Sequence, residues 1–200
     1  MNKVFVIIGK TASGKNTVEK DLLNIFSGRI KRIIPYTTRP MRDGETEGDE
    51  YHFVKSFDNT QNIIERRSYN TVYGKFEYAT VDEGVNLKDS SYININTLEG
   101  LKRIKQYFGE DNVVPVYIDA DTKVRTQRYL KRSGTNDAQT IAEIKRRMKD
   151  EDAEYTEEAL REAGIRIIFD NTDYDYCVYS ITQYIQTIIG GKQWVIKQLH

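Results

Sequence analysis

Gly9-Lys10-Thr11-Ala12-Ser13-Gly14-Lys15 places two glycines with four residues between them and a lysine directly after the second. Glycines at that spacing let successive backbone N–H groups curl around a phosphate. A helix N-terminus behind them adds partial positive charge, and a lysine such as Lys15 reaches the outer phosphates. Residues 9 to 15, with Asn16 and Thr17 behind them, are therefore candidates for holding a nucleoside triphosphate. The pattern ordinarily continues with Ser or Thr as a magnesium ligand, and here Asn16 stands in that place. Its amide carbonyl is a hard oxygen, so Asn16 is the candidate ligand, directly or through water, for Mg²⁺ bound with the nucleotide.

Two arginines three residues apart, Arg39 and Arg42, lie in the polar stretch 37–50. Forked guanidiniums grip a monophosphate through charge-assisted bonds, and the hydroxyl of Tyr51 adds a further donor.

These groups need a scaffold. Val4–Ile8 is a continuous β-branched and aromatic run, expected of a parallel strand covered on both faces. Thr17–Phe26 carries apolar residues at 18, 22, 25 and 26, one face of a helix. Strands are expected at Ile30–Tyr36, Tyr51–Val54, Ser91–Asn96, Val113–Ile118 and Ile165–Phe169. A short helix is expected over 57–66, and two short strands over Tyr69–Val81 around Gly74. Further helices are expected over Leu98–Phe108, Lys123–Lys131, Ala138–Glu151 and Tyr176–Ile189. Strand and helix alternate at both ends, whereas 37–90 is richer in turns and strands. The fold class this implies is α/β: a parallel doubly wound sheet with an inserted small β-rich monophosphate-binding region and a helical lid.

The segment from Tyr36 to Phe53 resembles the nucleoside-monophosphate site of guanylate kinases, T-T-R-x-x-R-x-G-E-x-x-G-x-x-Y-x-F, at every fixed position. With the phosphate loop in front, the resemblance covers nearly the whole chain. It implies one domain over 1–200, with a core of 1–34, 91–122 and 150–200, an acceptor region of 35–90 and a lid of 123–149. It also implies transfer of a phosphoryl group from ATP, bound with Mg²⁺, to GMP. By the same resemblance Arg39, Arg42 and Tyr51 hold the acceptor phosphate, with Glu45 close by, and Glu65 reads guanine. Tyr78-Ala79-Thr80 is similar to the family's Tyr-Gly-Thr/Ser, placing Tyr78 on phosphate and Thr80 near guanine O6; an alternative register uses Tyr73-Gly74 and leaves Lys75 where the hydroxyl belongs.

Arginines must close over a transferring phosphoryl group. Arg128 to Thr135 resembles the family's R-L-x-x-R-G-T lid with one residue inserted, and Ile144 to Met148 its I-x-x-R-L helix. Arg128, Arg132 and Arg147 are thereby assigned to the ATP phosphates and the migrating charge. Arg128 and Arg132 share a helical face. Asn171 corresponds to the family's asparagine near adenine. Two departures stand out: Pro35 replaces a serine of the guanine pocket, and Asn94-Ile95-Asn96 replaces Asp-x-Asp, leaving Asn96 as a neutral partner for the base. Two rival readings keep the scaffold. One is a kinase for another phosphorylated acceptor, such as a ribose bisphosphate or another nucleotide. The other is a non-catalytic protein-binding domain.

The composition bounds the rest. Lys+Arg 30 against Asp+Glu 30, with pI near 6.8, argues against a nucleic-acid coat. A single cysteine, Cys177, excludes an intrachain disulfide framework and fits a reducing compartment; on an apolar helix face it reads as core filling. No stretch approaches the roughly 20 apolar residues of a membrane span, and no secretory leader is seen, so no membrane partner and a cytoplasmic location are expected. The two histidines, His52 and His200, are too far apart for a metal cluster, and His52 reads as exposed. The Trp194 tail packs on the body or meets a second subunit, which leaves monomer and homodimer both open.

Overall fold

The computed structural model describes residues 1–42, 44–71, 74–135 and 137–190, which form two sheets and the helices around them. The larger sheet contains β1 (Val4–Ile8), β2 (Ile30–Arg32), β7 (Ser91–Ile95), β8 (Val113–Asp119) and β9 (Ile168–Asp170). Their order is β2-β7-β1-β8-β9, and every neighbouring pair is parallel.

Alternation along β1 sends side chains to both faces, and both faces are covered. Val4, Val6 and Ile8 pack with Leu101 and Ile104 of α2 (Leu98–Phe108) and Leu160 of α5 (Glu157–Glu162). Phe5 and Ile7 pack with Val18 and Leu22 of α1 (Lys15–Ile25), and with Ile181 and Ile185 of α6 (Tyr174–Ile189). This two-sided burial is why β1 is apolar throughout. The strand order diverges on either side of β1, so the loop leaving its C-terminal end lies at the topological switch point, where open α/β sheets form ligand crevices. Above that crevice stand α3 (Thr122–Ser133) and α4 (Ala138–Glu154); the Asp137 side chain caps α4 by accepting from the Thr140 amide.

The smaller sheet, in order β4-β3-β6-β5, contains β3 (Tyr36–Thr37), β4 (His52–Phe53), β5 (Ile63–Thr71) and β6 (Gly74–Val81). Two expectations fail here. The run Ile30–Tyr36 is not one strand. β2 stops at Arg32 in the large sheet and β3 belongs to the small one, because Pro35 between them has no N–H to continue a ladder. The helix expected over 57–66 is absent as well: β5 starts at Ile63, after Asn62 in a left-handed conformation at φ 55°. β-Branched Ile63 and Ile64 have partners across the hairpin and beneath it, and pairing overrides the weak helical spacing. A bulge sets Ile63 opposite Val81 but Glu65 opposite Thr80. It lets Ile63 pack on the small sheet's core while Ile64 packs on the main one. Helix α5, capped by Thr156, was not anticipated from the sequence. Tyr73, Trp194 and His200, named above, lie outside the described residues.

Candidate active site

The phosphate loop crosses from β1 to α1 over the end of β8. A Cβ on Gly9 would stand 2.1 Å from the Ile118 carbonyl oxygen, and one on Gly14 would stand 2.2 Å from Asn171 Nδ2. Gly14 also has φ 94°, in the left-handed region. These two positions require glycine. Within the loop, Lys15 Nζ donates to the carbonyls of Gly9 at 2.7 Å and Lys10 at 2.8 Å. Burial lowers the Lys15 ammonium to about 8, opposed mainly by the Glu151 carboxylate. Asn171 Nδ2 donates to the Ser13 carbonyl at 2.7 Å, tying the loop to the end of β9.

Thr11, Ala12, Gly14, Lys15, Asn16 and Thr17 line a cleft of roughly 660 Å³, with Arg128, Arg132 and Arg147 opposite and Asn171 and Tyr174 at one end. All three lid arginines named from the sequence therefore meet the phosphate loop. Arg128 Nη2 donates to the Asn171 carbonyl at 2.9 Å, whereas its Nη1 is buried without a hydrogen-bond partner among the described residues and lies 3.7 Å from the position of a Cβ on Gly14. Ser13 Oγ and Asn171 Oδ1 are also buried and unpartnered. Arg132 lies over the Tyr129 ring, and Arg147 donates to Glu143 at 2.7 Å. Lys10 is paired with Asp152 at 2.9 Å and lies 3.7 Å from Asp119.

A magnesium ion carried with nucleotide phosphates needs few protein oxygens, because Mg²⁺ keeps waters and phosphate ligands. Asn16 and Thr17 offer neutral oxygens at the cleft surface, on the first turn of α1. Asp119 lies 3.7 Å from Lys10, and Glu151 pairs with Arg125 at 3.2 Å. Among the described residues no cluster of His, Cys, Asp and Glu suits a dedicated metal site. The donor set thus fits a nucleotide-borne ion.

The residues that the sequence assigns to the acceptor lie in and around the small sheet. Arg39 is buried, and its fork is held by Glu45 through Nη1–Oε2 at 2.6 Å and Nη2–Oε1 at 2.5 Å. Its guanidinium lies 4.9 Å from the Tyr51 ring centroid, and Tyr51 meets the edge of Tyr78 at 5.8 Å. Arg42 is exposed at the rim, with its backbone N–H on Glu45 at 2.8 Å. His52, expected to be exposed, is half-buried: its ring tilts against Tyr36 and bonds Glu47 at 3.0 Å, bracing the loop.

Deeper in, Glu65 is buried and accepts from Thr80 Oγ1 at 2.8 Å and Asn96 Nδ2 at 3.1 Å. The hairpin register pairs Glu65 with Thr80 and Arg67 with Tyr78, so Glu65, Tyr78, Thr80 and Asn96 share one pocket. Arg67 enters it too and was not singled out from the sequence. Two residues beyond Glu65, it shares that face of β5, a relation hidden while 57–66 was read as helical. Arg125 and Glu151 were also missed. Arg125 is 1% exposed and donates to Glu151 at 3.2 Å, and Glu151 accepts from the Thr11 amide at 2.7 Å.

A family model described as guanylate kinase matches residues 1–188. A guanylate kinase from Helicobacter hepaticus is 34% identical over 150 residues, covering 69% of this chain and 70% of that protein. One from Prochlorococcus marinus is 29% identical over 148 residues, covering 70% and 76%. The crystal structure of guanylate kinase from Anaplasma phagocytophilum aligns with a TM-score of 0.63 at 20% identity, over 96% of this chain and 88% of that one, a match of fold.

Proposed function

The chain belongs to the guanylate kinase family and is a nucleoside-monophosphate kinase, and we propose that it transfers the γ-phosphoryl group of ATP to GMP, giving ADP and GDP. The observation that carries this is the cleft itself: a lysine-bearing phosphate loop faces three arginines, and the buried Arg128 Nη1 there has no hydrogen-bond partner among the described residues. A buried guanidinium nitrogen left unbonded costs free energy unless an anion satisfies it.

The loop amides and Lys15 hold the ATP phosphates, Lys15 leaving the Gly9 and Lys10 carbonyls for them. Asn16 and Thr17 would hold a magnesium ion carried with ATP, and the ion would supply neutralisation of phosphate charge. Arg39, Arg42, Tyr51 and Tyr78 fix the acceptor phosphate, which replaces the Glu45 carboxylate on the Arg39 fork. Glu65, Thr80 and Asn96 face the base. Arg128, Arg132 and Arg147 stabilise charge on the migrating phosphoryl group, and Asn171 keeps the loop and Arg128 in place. An acceptor phosphate is already an anionic nucleophile, so no general base is needed; the work is positioning and charge stabilisation.

The test is ADP release with ATP and a panel of GMP, AMP, UMP and a ribose phosphate. GMP is expected to lead. Turnover of the sugar phosphate or another nucleotide in preference to GMP would replace the acceptor, and turnover of none would leave a binding domain.

A further inference from the structure

Glu65 is the carboxylate that would receive the N1–H and the exocyclic 2-amino N–H of guanine, and much of its capacity is already taken. Its Oε1 accepts from Arg67 Nη1 at 2.5 Å, Thr80 Oγ1 at 2.8 Å and Asn96 Nδ2 at 3.1 Å. A carboxylate oxygen has two lone pairs, so this one is saturated. The neighbouring acceptors are engaged as well. Asn96 Oδ1 accepts from Arg67 Nη1 at 2.7 Å and from the Thr97 amide at 2.9 Å, and Asn94 Oδ1 accepts from Asn96 Nδ2 at 3.0 Å. Two N–H donors converging on Asn96 Oδ1 also fix which way its amide points.

Arg67 joins these contacts. It sits opposite Tyr78 in the hairpin register, 5.7 Å from that ring's centroid, and one of its nitrogens touches both Glu65 and Asn96. What remains for an incoming base is Glu65 Oε2. That single oxygen serves the N1–H common to every 6-oxopurine. Asn94 Oδ1 keeps a second lone pair, but Asn94 is 0% exposed, so among the described residues no comparable exposed acceptor is left for the 2-amino group that distinguishes guanine from hypoxanthine. A pocket that hydrogen-bonds a substrate N–H rejects the analogue lacking it by about 10⁴-fold or more; a pocket without a free partner gains no such discrimination, and burying the unpaired amino group costs it.

We propose that Arg67 is a specificity-determining residue of the acceptor pocket: by occupying the lone pair of Asn96 Oδ1 that the Thr97 amide leaves open, it widens the acceptor from guanine alone to 6-oxopurine nucleoside monophosphates with or without a 2-amino group. The inference rests on the kinase reading above and names the substrate class of that same site.

The experiment compares kcat/KM for GMP and IMP in the wild type, Arg67→Met and Arg67→Lys. The wild type is expected to favour GMP over IMP by no more than about tenfold, and Arg67→Met, which frees a lone pair of Asn96 Oδ1 while Glu65 Oε1 keeps Thr80 and Asn96, to raise that ratio at least about tenfold. Arg67→Lys keeps a donor and should stay near the wild-type ratio. A larger wild-type preference for GMP overturns the proposal. So does an unchanged ratio in Arg67→Met, or an equal rise in both variants, which would mark a packing effect. Turnover of neither purine nucleotide would overturn the acceptor assignment beneath it, an outcome read from the absolute rates rather than from the ratio.

Discussion

At the scale of single residues, Lys15 carries the sharpest consequence. Burial pulls its ammonium from 10.5 down to about 8. Only the charged form pairs with phosphate, so ATP binding must raise the group again, and above that pH the free protein must take up a proton to bind. KM for ATP should therefore be flat below about pH 8 and climb by up to about tenfold per pH unit above it. Calorimetry in two buffers of different ionisation enthalpy should register the proton uptake at alkaline pH; a level profile through that range would refute the assignment. Lys15→Ala should abolish turnover with the fold intact, and an unchanged kcat would remove the loop from the reaction. The sequence showed this lysine plainly because the loop pattern is local. Arg67 was harder to see, since its partners Asn96 and Tyr78 come from other strands and only the hairpin register brings them together.

At the scale of elements, α4 is fastened to the phosphate loop by charge. Arg125 of α3 is 1% exposed and Glu151 of α4 accepts from both Arg125 and the Thr11 amide. Glu151→Leu strands a buried cation and should cost about 3 kcal/mol, whereas Arg125→Met combined with the same Glu151→Leu should recover most of it. Denaturant unfolding of the singles and the double closes the cycle, and simple additivity would mean that no pair exists. A second buried pair joins α1 to β2: Glu19, 3% exposed, meets Arg32 at 2.9 Å, yet burial pushes its carboxyl up to about 7. The fold thus favours protonated Glu19, a contribution complete below about pH 4.5 and lost as pH climbs through about 7. The stability of the wild type relative to Glu19→Gln should fall by about 3 kcal/mol across that window, and a pH-independent difference would show that Glu19 ionises normally. Neither pair was legible beforehand, because charged residues on helices read as solvated faces until packing buries them. The elements themselves divide in the same way. β1, α2 and β8 follow their own periodicity, whereas β5 and the break between β2 and β3 were set by cross-strand partners that local spacing does not carry.

At the scale of the whole molecule, the two sheets are supported very unequally. β1 is sandwiched between two apolar clusters, whereas the small sheet rests on Phe57, Ala79 and Val81 with partly buried Tyr36, Val54 and Ile63. Much of what joins it to the main body is polar: Asn96 to Glu65, Arg67 to Asn96, and Arg32 to Asp49. A unit with so little buried apolar support opens at a lower free energy than the core. Amide hydrogens of the β5–β6 hairpin should therefore exchange well before those of β1 in the free protein. In the proposed reaction the acceptor nucleotide contacts the hairpin and ATP does not, so the two ligands should protect different segments. GMP at about a hundred times its Kd stabilises the closed form by about 2.7 kcal/mol, which slows hairpin exchange by about a hundredfold. ATP alone should slow exchange in α3 and α4, whose arginines face the phosphate loop, and leave the hairpin's early opening in place. Exchange measured amide by amide in the free, GMP-bound and ATP-bound protein decides this. A hairpin as slow as β1 without ligand, or identical protection by the two nucleotides, would show that the acceptor sheet and the core open as one unit.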